Sequence, residues 1–283
     1  MKVKHLIRLG DLDLHDVQEI FKIADYLGSE CYPKVLKGKT VVLFFPESSI
    51  RTRVTFERGI HLLGGQSILF PPSALDKKED LRDVAGYLGN WTAAIVVRHK
   101  DISLLDRMAC ESDIPVINAM TDINHPCEML SDVYALSKRF GDVSRLKILF
   151  VGASVNIGLA WKEAAALFGF ELTQSCPPKY AMDGVKNISD LAQAAAGKDV
   201  ICTDSLSADK LPDFADYQIT EELMRTSGCQ LLNPCPPFYR GEEVSAGVMD
   251  SEYFAGYDFK SCLLEVQQAV LLYCMGFWKG NIS

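Results

Sequence analysis

The chain has 283 residues, 48% hydrophobic, 23% charged and 10% aromatic, which fits one large or two medium globular domains and excludes a disordered or fibrous protein. A net charge of −8 and a pI near 5.2 exclude an extended basic face, so no nucleic-acid or membrane partner is expected and any bound anion must be held locally. Nine cysteines form no CxxC pair, and no stretch approaches the roughly 18 apolar residues of a membrane span, so a reduced cytoplasm is the expected location.

In chain order, a helical pattern covers 12–27. Short β-rich runs over 40–45, 67–70, 94–97 and 115–118 then read as buried strands, each followed by a helical pattern. A helix over 126–140 closes this series, and the polar segment 141–145 breaks the pattern. A second series has strands over 146–151, 171–175, 199–203 and 230–232, and an apolar helix over about 263–277 ends it. The alternation predicts an α/β chain of two Rossmann-like, three-layer domains with parallel sheets, tied by the terminal helices. The expected domains are 1–140, with 261–283 packing back on it, and 141–260.

Ligands of open parallel sheets collect where the strands end, which directs attention to the loops after Phe45, Val97, Asn118, Val151, Thr203 and Leu232. The first of these runs Pro46-Glu47-Ser48-Ser49-Ile50-Arg51-Thr52-Arg53 into a helical pattern. Hydroxyls, backbone N–H groups and the positive end of a helix dipole converge there, as phosphate binding needs, and Arg51 adds a bidentate fork. The bland alternative is a serine cap with solvated arginines. The spacing GxxxxGK[ST] is absent, so this is no Walker loop. Arg98-His99 ends an apolar strand, and His125-Pro126-Cys127-Glu128 opens a helix at a proline, placing a histidine where it could donate to a developing oxyanion. The Hx2E spacing lacks further ligands nearby, so no metal is expected.

Two features imitate a nicotinamide enzyme. Val151 to Gly158 resembles the glycine turn of short-chain dehydrogenases, and Tyr134 with Lys138 has their YxxxK spacing. In that family the tyrosine and lysine follow the glycine turn, whereas here they precede it. GxGxxG also fails, because position 154 is Ser and position 157 is Ile.

Taken together, the motifs resemble those of the aspartate and ornithine carbamoyltransferase family, in its order and at its spacing. Phe45 to Phe56 matches F-x-x-x-S-T-R-T-R-x-x-F, and Lys78-Glu79-Asp80-Leu81-Arg82-Asp83 matches the K-E-S-x-x-D-T loop. Arg98 stands for the strand-end arginine and His125 to Glu128 for H-P-C-Q. Asp216 to Thr220 matches another shared stretch, and Asn233-Pro234-Cys235-Pro236-Pro237 with Glu242-Glu243-Val244 occupies the place of H-C-L-P followed by E-V. The resemblance implies a carbamoyl-phosphate domain followed by an amino-acid domain, no cofactor, and a homotrimer in which Lys78 sits on an interface loop. It implies that Ser49, Ile50, Arg51, Thr52, Arg98, His125, Glu128 and Cys235 bind carbamoyl phosphate, with Arg51, Arg98 and His125 catalytic. Asn156, Asp204, Pro234 and Cys235 would bind the amine acceptor.

The departures bear on function. Ile50 replaces a hydroxyl residue, removing one side-chain donor while its backbone N–H is expected to stay available. Glu128 replaces a glutamine, exchanging a group that donates and accepts for one that only accepts when ionised. Arg51, Arg98 and His125 are the expected offsets to its charge, and an altered role such as contact with the acceptor amine is expected. Asn156 stands alone where ornithine enzymes have paired asparagines, and Leu263 occupies an expected arginine position. Asp204 matches their acid, and the sister aspartate-binding arginines are absent. The sequence therefore favours an ornithine-like acceptor, with a relative that has lost transfer and serves as a ligand-binding or subunit-interaction protein as the alternative.

Overall fold

The computed structural model describes residues 4–29, 32–110 and 112–277; Cys31 and the expected packing of 278–283 lie outside them. The elements in order are α1 (Leu14–Gly28), β1 (Thr40–Phe44), α2 (Arg51–Leu62), β2 (Gln66–Phe70), α3 (Leu81–Gly89), β3 (Ala94–Arg98), α4 (Ile102–Cys110), β4 (Val116–Met120) and α5 (Pro126–Phe140). There follow β5 (Lys147–Val151), α6 (Asn156–Phe168), β6 (Glu171–Ser175), β7 (Lys186–Asn187), α7 (Leu191–Ala195), β8 (Val200–Thr203), α8 (Glu221–Ser227), β9 (Leu231–Pro234), α9 (Ala246–Met249) and α10 (Leu263–Cys274). The chain divides into two compact units: unit 1 is 1–135 with 260–283, and unit 2 is 136–259.

Unit 1 carries a four-stranded parallel sheet in the order β2-β1-β3-β4. Val41 to Phe44 and Ala94 to Val97 are buried, as continuous apolar runs in a parallel sheet covered on both faces should be. The expectation of a buried strand over 67–70 fails. All five residues of β2 are exposed, Ile68 by 47% and Phe70 by 40%, because β2 is an edge strand and an apolar run alone does not reveal that position. The strand order reverses between β1 and β3, so the crevice at their ends is where loop 46–50 and Arg98 meet. A register shift between Val97 and Arg98 re-aims the last residue of β3. Asp13 caps α1 by accepting from the Asp16 N–H at 2.8 Å, and α10 packs against both α1 and α2. Gln268 Nε2 donates to the Gly59 carbonyl at 3.0 Å, a closeness that any Cβ at 59 would obstruct.

Unit 2 carries a five-stranded parallel sheet in the order β7-β6-β5-β8-β9, with the reversal between β5 and β8. The two-residue β7 is too short to leave an apolar run and adds to the predicted strands. The glycines of the dehydrogenase-like turn have a packing cause. A Cβ on Gly152 would lie 2.9 Å from the Phe150 ring, and one on Gly158 would lie 2.8 Å from it. No helix among the described residues is long and apolar enough to cross a membrane.

Candidate functional site

In unit 1 the loop after β1 ends at Ile50, which takes the N-cap position of α2 and provides no side-chain cap. The first N–H groups of α2 therefore gain no capping oxygen from residue 50, which suits them to an anion. Ser49 is buried and its Oγ accepts a 3.1 Å hydrogen bond from Arg98 Nη1, joining the phosphate loop to the end of β3. Thr52, the second residue of α2, is buried and Arg51 is exposed beside it. The serine-cap alternative fails, since the capping residue is an isoleucine. The expectation of an available Ile50 N–H fails too: it donates to the Ser48 carbonyl at 3.0 Å, because the loop turns tightly there. The Ile50 side chain is 67% exposed.

His125 precedes Pro126, the first residue of α5, and is buried, its Nδ1 having no partner among the described residues. Burial pushes its imidazole down to about 4; Glu128 opposes this, while Arg98 and Lys260 reinforce it. His125 is accordingly neutral near neutrality, a donor from one nitrogen only.

Glu128 is also buried. Burial alone would raise its carboxyl, but Lys260, His125 and Arg51 together hold it below the usual carboxylate range. Lys260 Nζ lies 2.9 Å from Glu128 Oε1 and also donates to Asp132 Oδ1, one turn further along α5. The expected offsets Arg51 and His125 contribute, but the ion pair is with Lys260, which the sequence reading missed. Its signal was a lysine just before the last helix, three residues from the position where an arginine was expected.

Arg98 also borders a groove of about 320 Å³ with His99, Asp76 and Asp122. The Asp101 N–H donates to His99 Nδ1 at 3.0 Å, so the neutral ring donates from Nε2 to Asp76 at 3.0 Å. His99 thereby anchors the start of the loop that carries exposed Lys78.

In unit 2, Asn156 opens α6 and its Oδ1 accepts from the Ile157 N–H at 3.0 Å. Asp204 follows β8, where burial, aided by nearby Glu243, pushes its carboxyl up to about 7. Glu243 is buried, accepts from the Tyr239 N–H at 2.7 Å through Oε1, and its buried Oε2 has no partner among the described residues. Its carboxyl is raised by burial as well. Glu243 lies in a stretch the sequence singled out, yet only the burial of its second oxygen reveals it as a site residue. Pro234 ends β9 and is buried; Cys235 follows, buried, with its N–H donating to Thr203 O at 3.0 Å. No disulfide joins any two of the eight described cysteines.

Two parallel-sheet α/β units, each with polar side chains gathered at its strand ends, define the class of two-domain α/β proteins. The domain model described as aspartate/ornithine carbamoyltransferase, carbamoyl-P binding domain, matches residues 4–138, and the corresponding Asp/Orn binding domain matches 144–274. The ornithine carbamoyltransferase of Syntrophus aciditrophicus (strain SB) is 33% identical over 296 residues, covering 95% of this chain and 98% of that protein. The ornithine carbamoyltransferase structure from Burkholderia thailandensis E264 superposes with a TM-score of 0.88 at 29% identity, covering 99% of both chains. That from Pyrococcus furiosus gives 0.89 at 26% identity, covering 96% of this chain and 97% of the other. The chain belongs to the aspartate/ornithine carbamoyltransferase family, and is an enzyme of the carbamoyltransferase class.

Proposed function

We propose that this protein moves the carbamoyl group of carbamoyl phosphate to the amino group of an ornithine-like amino acid. The observation that carries the reading is the Arg98 to Ser49 hydrogen bond at the start of α2, which gathers a cation, a hydroxyl and helix N–H groups around one anion-sized place. Ser49, Arg51 and Thr52 hold the phosphate, while Arg98 and neutral His125 donate to the carbamoyl oxygen. A neutral amine attacks the carbonyl carbon and charge develops on that oxygen, where each fixed donor contributes about 3 to 4 kcal/mol in mutational terms. The carbon to phosphate-oxygen bond then breaks, and the departing phosphate takes the amine proton.

Asp204 and Glu243, with Asn156, Pro234 and Cys235 on the neighbouring strand ends, form the acceptor side. One buried and one half-buried carboxylate favour an acceptor that brings its own ammonium, which supports an amino acid with a basic side chain over aspartate. The exposed apolar edge at Ile68, Leu69 and Phe70, followed by the Lys78 loop, supports a homotrimer in which further copies of this chain cover that edge.

Labelled carbamoyl phosphate incubated with a panel of amines tests the reading. Product with ornithine or a close basic analogue is expected. Binding of carbamoyl phosphate without product from any amine would overturn it in favour of a relative that has lost transfer.

A further inference from the structure

The two departures that most threaten activity, an acid at 128 and a leucine at 263, are answered by a residue that the motifs do not include. Lys260 Nζ lies 2.9 Å from Glu128 Oε1 and bonds Asp132 as well, and the two acids and the lysine are all largely covered. Glu128 shares its surroundings with Arg51 and His125, and His125 with Arg98 and Lys260, so the triad belongs to the same charge network as the phosphate loop. A carboxylate buried there without a cation would repel a phosphorylated ligand.

We propose that Lys260 is a positioning residue for carbamoyl phosphate, acting through Glu128. The ammonium neutralises the carboxylate and fixes its orientation, so that Glu128 presents an oxygen to the carbamoyl N–H. An amide at 128 would combine a donor and an acceptor in one group; the Glu128 and Lys260 pair divides these roles between two ionised groups, the carboxylate accepting and the ammonium donating. It follows that Glu128→Gln alone does not improve the site, since it removes the carboxylate that Lys260 neutralises and leaves the ammonium bonded to Asp132.

The inference rests on the reading of unit 1 as the carbamoyl-phosphate site, and steady-state kinetics on four variants separates the two. Lys260→Met is expected to raise KM for carbamoyl phosphate about tenfold or more, with a smaller change in kcat. Lys260→Arg keeps the charge and should restore KM to within about threefold of the wild type. Glu128→Gln combined with Lys260→Met removes both members of the Glu128 pair, leaves Asp132 as the acid that Lys260 had also bonded, and should recover most of the lost affinity, so the single effects do not multiply. The fourth variant, Arg51→Ala, reports on the underlying reading. An unchanged KM in Arg51→Ala would overturn the site itself. A weakened Arg51→Ala beside an unchanged Lys260→Met, or a double variant at least as impaired as Lys260→Met, would overturn the role of Lys260 alone. Should Lys260→Met fail to fold, the double variant decides: KM near wild type supports the proposal, and KM raised tenfold contradicts it.

Discussion

In unit 1 the buried Glu128 carboxylate lies 2.9 Å from the Lys260 ammonium and the Ser49 hydroxyl accepts from Arg98, whereas in unit 2 the Asp204 and Glu243 carboxylates make no ion pair among the described residues. In the proposed reading the first unit arranges its charges around an anion, and the second holds acids suited to a cation brought by a ligand; burial drives those acids toward the protonated form. The contrast predicts that substitutions in unit 1 act on chemistry and phosphate affinity with little pH dependence near neutrality, while those in unit 2 act on the acceptor and depend strongly on pH.

The largest effect should come from Arg98→Ala, which removes a donor to the carbamoyl oxygen and the partner of Ser49. A loss of about 100- to 1,000-fold in kcat is expected from steady-state rates. A loss confined to the acceptor KM would break the division between the units.

Asp204→Asn sharpens the comparison from the other side. At pH 8 the acceptor KM should rise about tenfold or more, the worth of a hydrogen bond to a charged group, and the difference should shrink at pH 6, where the wild-type carboxyl is already protonated. The stability sign follows from the same shift. Between about 4 and 7 the folded protein holds a proton that the unfolded chain has released, so ionising Asp204 costs stability as the pH rises through that window. Asp204→Asn should therefore raise the thermal midpoint at pH 8 relative to wild type and change it little at pH 4. An equal shift at both pH values would contradict the burial of this group.

The smallest effect is expected at Ile50. Replacing this exposed side chain with threonine restores a hydroxyl beside the helix start and should tighten carbamoyl-phosphate binding by a few-fold, about 0.5 to 1.5 kcal/mol, measured by titration calorimetry. Weaker binding would mean that the loop at 48–50 is not the phosphate seat.

Much of the fold was legible in the sequence, because parallel strands leave continuous apolar runs such as Val41 to Phe44. The edge position of β2 was not, since exposure depends on which strands flank it. Within the site, Ser49, Arg51, Thr52, Arg98 and His125 stood out because each lies at a strand end or helix start. Lys260 and Glu243 did not, because a lysine in a turn and an acid in a polar stretch look solvated until the chain is folded over them. The glycine turn at 151–158 imitates a dinucleotide site for a related reason: spacing shows that a side chain must be missing, and only packing shows that the Phe150 ring is what fills the space.

The central claim is that the start of α2 holds the phosphate of carbamoyl phosphate. Its most direct test is the dissociation constant of carbamoyl phosphate for the wild type and for Arg51→Ala, measured on folded protein in the absence of acceptor. The account predicts binding at least about tenfold weaker in the variant, a difference of about 1.4 kcal/mol. Equal affinity in the two proteins would contradict it.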